Sequence, residues 1–224
     1  MKRLIILIMV LALMVAPNEA DSSIEGYDVV SELSKENVAL YAKKRNGMYQ
    51  DFKIIFKGEL YSRPFWMNVT NPSYAPQIYY EDINSDKKKE LIIILTKGHG
   101  TGALWEEVYV YRYSNGLINV LVDNPIAIIN QNVKTKLTTE KAEVRIGDKI
   151  YIVDVTPLEI QPTNLFEEIS FGSIIKYEVK NDHLIAKIPC QISPAGFIGQ
   201  INITYEYREK MYQAKSLEFQ QVDL

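Results

Sequence analysis

The stretch Glu90-Leu-Ile-Ile-Ile-Leu-Thr-Lys-Gly-His-Gly-Thr-Gly-Ala-Leu-Trp-Glu-Glu-Val-Tyr-Val-Tyr-Arg-Tyr-Ser-Asn-Gly-Leu-Ile-Asn-Val-Leu-Val122 decides the fold. Leu91–Leu95 is an unbroken apolar run, the pattern of a strand buried on both faces. Glu107–Tyr113 then alternates: Val108 and Val110 face one way, Tyr109, Tyr111 and Tyr113 the other. That is the two-residue period of a strand. Ser114-Asn115-Gly116 is a hairpin signal, and Leu117–Val122 is its return strand. Gly98-His-Gly-Thr-Gly102 superficially resembles a phosphate loop, but no Gly-Lys-Ser/Thr follows and the next segment alternates like a strand. A phosphate loop needs a helix N-terminus at that point, so an inter-strand loop is the reading.

Outward from this stretch the same signals repeat. Phe52–Phe56, Phe65–Val69 and Gln77–Tyr80 read as strands on the N-terminal side. Gly147-Asp148 joins Glu143–Ile146 to Lys149–Val155, Asn181-Asp182 joins Ile174–Val179 to His183–Ile188, and Arg208–Met211 joins Gln200–Tyr207 to Tyr212–Phe219. One short helix is expected early, over Lys35–Lys44. Ser34 would cap it, Val38, Tyr41 and Ala42 would form its apolar stripe, and Gly47 would lie past its end. The fold class predicted is mainly β, with antiparallel strands and hairpins in a blade- or sandwich-like arrangement and one short N-terminal helix. A soft boundary near 135 separates 21–134, which holds the helix and an Asp-rich loop, from an antiparallel β region over 135–224; the two can equally be one domain.

Composition closes off several classes. The 224 residues are 47% hydrophobic with a net charge of −3, which suits a chain that buries a core and does not suit disorder. A nucleic-acid partner is not expected without a basic excess. One cysteine and two histidines exclude a Cys-rich zinc site and a disulfide framework. Cys190 alternates onto the face of Ile188 and Ile192 and reads as a buried apolar residue.

Met1-Lys2-Arg3, the thirteen apolar residues Leu4–Ala16 and the break at Pro17-Asn-Glu-Ala20 form a signal peptide over residues 1–20. The run is shorter than the roughly 20 residues of a spanning helix. The expected location is therefore secreted or extracytoplasmic, with no membrane span once the leader is removed. An uncleaved leader would instead tether the chain to a membrane.

One motif carries chemistry. Asp82-Ile-Asn-Ser-Asp-Lys-Lys-Lys-Glu90 places oxygen-bearing side chains at loop positions 1, 3, 5 and 9, followed at once by the Leu91–Leu95 strand. Calcium takes six to eight hard oxygens, and such a loop offers Asp82, Asn84, Asp86, the Lys88 carbonyl and Glu90. Without a metal, the same residues make an Asp/Asn-stabilised turn between strands.

From Tyr80 to Leu95 this segment resembles the loop of the integrin-type repeats, also called FG-GAP or VCBS repeats. Their pattern is Asp-x-(Asp/Asn)-x-Asp-Gly-x-x-(Asp/Glu) before an aliphatic strand. The resemblance implies a structural Ca2+ between two strands rather than a catalytic centre. It covers about fifteen residues, and Lys87 stands where the pattern has glycine, with Lys88 and Lys89 beside it. One copy of the motif does not make a propeller, which takes at least four blades.

Other candidates have plain structural readings. His99 with Glu106 or Glu107 is a possible acid–base pair, and equally a solvated loop histidine. The face of Tyr109, Tyr111 and Tyr113 suits stacking a ligand, and suits packing on a neighbouring strand better. Phe65-Trp66 with Tyr74 is a second such cluster. Asn68-Val-Thr70 and Asn202-Ile-Thr204 match the glycosylation sequon. The function expected is a non-enzymatic, exported binding or interaction protein with an extracellular ligand or protein partner. The alternative is a hydrolase that pairs Glu106 or Glu107 with Asp82 or Asp86.

Overall fold

The computed structural model of the protein describes residues 24–221, so the leader at 1–20 lies outside the described residues. Strands β1 (Asp28–Leu33), β2 (Val38–Arg45), β3 (Met48–Phe56) and β4 (Glu59–Val69) form an antiparallel meander in sequence order. The early helix is not there. Only Ser34–Glu36 makes a 3-10 turn, and residues 38–44 of the expected helix lie in β2. Val38, Leu40 and Ala42, two apart, all enter the core, and both edges of β2 are paired, to β1 and β3. Asn46 and Gly47 have φ of 50° and 74°, the two positive values a type I′ hairpin needs. Gly47 therefore turns a hairpin instead of ending a helix.

Strands β5 (Gln77–Glu81), β6 (Glu90–Gly100), β7 (Ala103–Tyr113) and β8 (Leu117–Val122) pair antiparallel in turn. The single α-helix among the described residues, α1 (Pro125–Asn132), follows them. Asn124 caps it by accepting the Ile126 and Ala127 amides at 2.9 and 3.1 Å, and Pro125 occupies its first turn. Strands β9 (Val133–Leu137), β10 (Lys141–Ile146) and β11 (Lys149–Asp154) make a small separate sheet. Position 135 falls within β9.

The last four strands are β12 (Ile174–Lys180), β13 (His183–Gln191), β14 (Phe197–Arg208) and β15 (Met211–Gln221). They are hairpin-linked, and Asn181-Asp182 again shows two positive φ values, 51° and 59°. This meander joins the earlier strands at both ends. β15 pairs parallel with β8 through Met211 and Tyr212, and β12 pairs parallel with β7 through Ile174 and Ile175. The order β12-β13-β14-β15-β8-β7 thus returns to β12 and closes a ring of six strands, with β6 and β5 extending from β7.

Strand β6 divides two cores, as its unbroken apolar run predicts. Leu91, Ile93 and Leu95 pack with Val38, Leu40, Phe52, Ile54, Phe56 and Trp66 of the first meander. Ile92 and Ile94 pack on the other side with Val110, Ile188, Ile201, Ile203, Ile128 and Val144, which come from β7, β13, β14, α1 and β10. All five β6 side chains are buried, each worth about 1.5–3 kcal/mol against exposure. This larger core takes residues from both sides of position 135. Cys190 lies in it with Ile188 and Ile192, and burial pushes its thiol up to about 12.

Candidate functional site

The Asp82–Glu90 loop connects β5 to β6, and the register ends with Glu81 opposite Glu90. Its side chains fold inward on its own backbone. Asp82 Oδ1 accepts the amides of Asn84 and Asp86 at 3.4 and 3.2 Å, and Oδ2 accepts that of Lys87 at 2.8 Å. Asn84 Oδ1 takes the Asp86 amide and Asp86 Oδ1 takes the Lys88 amide, both at 2.8 Å. Such side-chain-to-backbone bonds are why Asp and Asn nucleate turns. Ser85 and Lys87 both lie in the left-handed region, with φ of 62° and 67°.

Glu90 is the unusual member. It is fully buried, yet it forms no ion pair among the described residues. Its oxygens accept only from neutral groups: Asn84 Nδ2 at 2.7 Å and the Ile83 amide at 3.2 Å. Burial pushes its carboxyl up to about 7; the Ile83 amide pulls it back, Asp86 and Asp82 add to the rise, and Arg112 opposes it. Arg112 itself is engaged by Asp86 at 3.4 Å and by the Tyr207 hydroxyl at 3.1 Å. The buried Tyr212 hydroxyl couples to Glu90 and Asn84 and has no hydrogen-bond partner of normal geometry. Arg112, Tyr207 and Tyr212 were not legible as neighbours of this loop, because they arrive from β7, β14 and β15.

The donor chemistry of Asp82, Asn84, Asp86, the Lys88 carbonyl and Glu90 fits a hard cation: all are oxygens, and the buried Glu90 carboxyl forms no ion pair among the described residues. Of the adjacent lysines, Lys89 is drawn away to Glu36 at 2.7 Å, while Lys87 and Lys88 are exposed. Among the described residues no three His, Cys, Asp or Glu side chains converge as a metal-binding group.

The remaining candidates do not line one common cavity. His99 is in the β6–β7 hairpin, opposite Leu104, and stacks on Tyr74 with ring centroids 4.5 Å apart. Glu106 and Glu107 line a cavity whose walls include neither His99 nor Asp82 nor Asp86. Tyr109 and Tyr111 pack on Trp66, at 4.2 and 6.3 Å between centroids, and Tyr113 meets Phe56 edge-on, so this tyrosine face is core packing. Phe65 and Trp66 point apart, the first 91% exposed and the second 6%. Asn68, read as a sequon, is fully buried and hydrogen-bonded, which takes it out of reach of a modifying enzyme in the folded chain. No helix among the described residues is long and apolar enough to cross a membrane. Compared with protein-family models, with curated proteins and with solved structures, the chain matches none of them.

Proposed function

We propose that this chain is an exported, non-enzymatic binding or interaction protein whose Asp82–Glu90 loop takes a structural calcium ion. The observation that carries the calcium reading is Glu90: a carboxylate fully buried beside Asp82 and Asp86 with no cation of its own. Leaving a buried charge unpaired is costly, and a bound divalent ion would supply the missing positive charge. Asp82, Asn84, Asp86 and the Lys88 carbonyl would complete the oxygen shell. Their role is to hold the β5–β6 connection, at the head of the strand shared by both cores. The non-enzymatic reading is supported by the stacking of His99 on Tyr74, outside the walls of the cavity that Glu106 and Glu107 line.

Thermal unfolding of the exported chain in millimolar calcium, in chelator and in magnesium tests this. Binding to the folded state alone adds RT ln(1 + [L]/Kd), so a site of about 0.1 mM in millimolar calcium raises the midpoint by roughly 3–5 °C. Asp82→Ala and Asp86→Ala are expected to lose that increment in addition to the metal-independent loss, visible in chelator, of the amide hydrogen bonds they accept. Equal losses with and without calcium, or no calcium-specific shift, would leave a metal-free turn.

A further inference from the structure

One edge of β7 is divided between two partners. Leu104 and Trp105 pair with Ile174 and Ile175 of β12, whereas Val110–Tyr113 pair with Leu117–Val120 of β8. From Glu106 to Tyr109 that edge has no strand partner among the described residues, although the opposite edge pairs with β6 throughout. The two neighbours splay away from β7, and the gap between them is a cavity of about 600 Å3. Side chains from both faces of β7 line it, Glu106 and Val108 from one and Trp105 and Tyr109 from the other. The opening is therefore a slot at the strand edge. Its volume is in the range of small-molecule sites.

The slot has one charge without a counter-charge. Glu106 is 6% exposed and accepts the Tyr177 amide at 2.6 Å, where β12 parts from β7. It makes no ion pair among the described residues, and burial raises its carboxyl above the ordinary range. Lys176 of β12 opposes that rise from an exposed position without forming an ion pair with Glu106; Lys97 is taken by Glu107 at 3.0 Å, and Glu107 also accepts the Tyr109 hydroxyl at 2.5 Å. At the rim, Trp105 is 53% exposed and Leu121 64%. Trp105 is anchored on one side: its Nε1 donates to the Gly172 carbonyl at 3.1 Å, and its ring packs so closely on Gly98 that a Cβ there would lie 3.2 Å from it. An exposed aromatic surface and a buried carboxylate without an ion pair thus line the same slot.

We infer that this slot binds a small amphiphilic cation, a primary ammonium carried on an apolar chain or ring. The ammonium pairs with Glu106 in a site shielded from water, where a charge-assisted hydrogen bond is strong. The apolar body covers Leu121 and the face of Trp105, whose ring also attracts a cation. A carboxylate ligand would be repelled by Glu106, and a neutral one would bury it unmatched, so selectivity follows from the same residue. The inference deepens the reading of the chain as a binding protein and is independent of calcium in the Asp82–Glu90 loop.

The test is titration of the exported chain, in chelator, with hexylammonium, 1-hexanol and hexanoate. The readout is the magnetic resonance of the Trp105 indole N–H and the β7 amides. Hexylammonium is expected to shift these signals saturably and to bind at least about tenfold tighter than the other two. Glu106→Gln keeps an acceptor for the Tyr177 amide; it should weaken hexylammonium by about tenfold or more and abolish the preference for the cation. Leu121→Lys, at an exposed position, should keep the melting midpoint and lose binding, and it decides the matter if Glu106→Gln fails to fold. Three probes binding alike, hexylammonium binding unmoved in a folded variant, or no saturable shift up to about 50 mM would each overturn the assignment. Because the titration is run in chelator, its failure is distinct from failure of the calcium reading.

Discussion

Lys87 occupies the position where the calcium-loop pattern has glycine, and its backbone still takes the left-handed conformation, at φ 67°. An L-residue pays roughly 1–2 kcal/mol there, partly offset by the greater chain entropy glycine would lose on folding. Lys87→Gly is therefore expected to raise stability by about 0.5–1 kcal/mol in chelator, read from urea unfolding. The gain should be larger in calcium, since a positive charge beside Asp82 and Asp86 is also removed. A loss in both conditions would show that the lysine side chain makes a stabilising contact outweighing the strain. The residue-level reading of this loop was legible because Asp and Asn act on amides two to five positions away. Cys190 was legible for the same reason of locality: its neighbours Ile188 and Ile192 share its face. Glu90 was legible as a loop oxygen but not as a buried one, since its surroundings come from β7 and β15.

Among the elements, β2 and the end of β4 show where local pattern was insufficient. Val38, Tyr41 and Ala42 satisfy a helical stripe, and Val38, Leu40 and Ala42 satisfy a strand; pairing on both edges chose the strand. Asn46-Gly47 carried the deciding signal, being a two-residue hairpin turn rather than a helix end. At the end of β4, Asn68 links the two sheets that sandwich the smaller core. Its Oδ1 accepts the Thr96 amide of β6 at 2.6 Å, and its Nδ2 donates to the Val69 and Tyr74 carbonyls at 2.7 and 2.8 Å. Asn68→Ala leaves these groups without partners in a buried place, so a loss of about 2–4 kcal/mol in chemical denaturation is expected. A loss below about 1 kcal/mol would mean that water replaces the amide.

For the whole molecule, the closure of the strand ring is the governing fact. β7 and β8 come from the first part of the chain, and their partners β12 and β15 come from the last. Both cores share β6, so neither is complete without strands of the first 134 residues. The smaller core lies wholly within the first 134 residues, whereas the larger takes residues from both sides of that boundary. Residues 135–224 made alone are therefore expected to remain unfolded, while the joined chain melts in one cooperative transition. Circular dichroism and amide dispersion of that fragment check this; a native-like spectrum from it alone would show that it folds independently. The slot at Glu106 is a property of this scale too, because it exists only where two ring strands leave a third.

The amino-acid sequence by itself determined the mainly β class, most of the strands, the hairpins at Gly147-Asp148 and Asn181-Asp182, the double burial of β6 and the fate of Cys190. These follow from period and turn chemistry, which act over a few residues. Tertiary structure decided that Val38–Arg45 is a strand, that Asn68 is interior, that Glu90 and Glu106 are buried without cations, and that six strands close on themselves. Alternation tells which face of a strand is wet but not which strand lies along its edge. Edge partners here lie up to 90 residues apart, Tyr212 against Val122 being one pair, and no local pattern carries that choice.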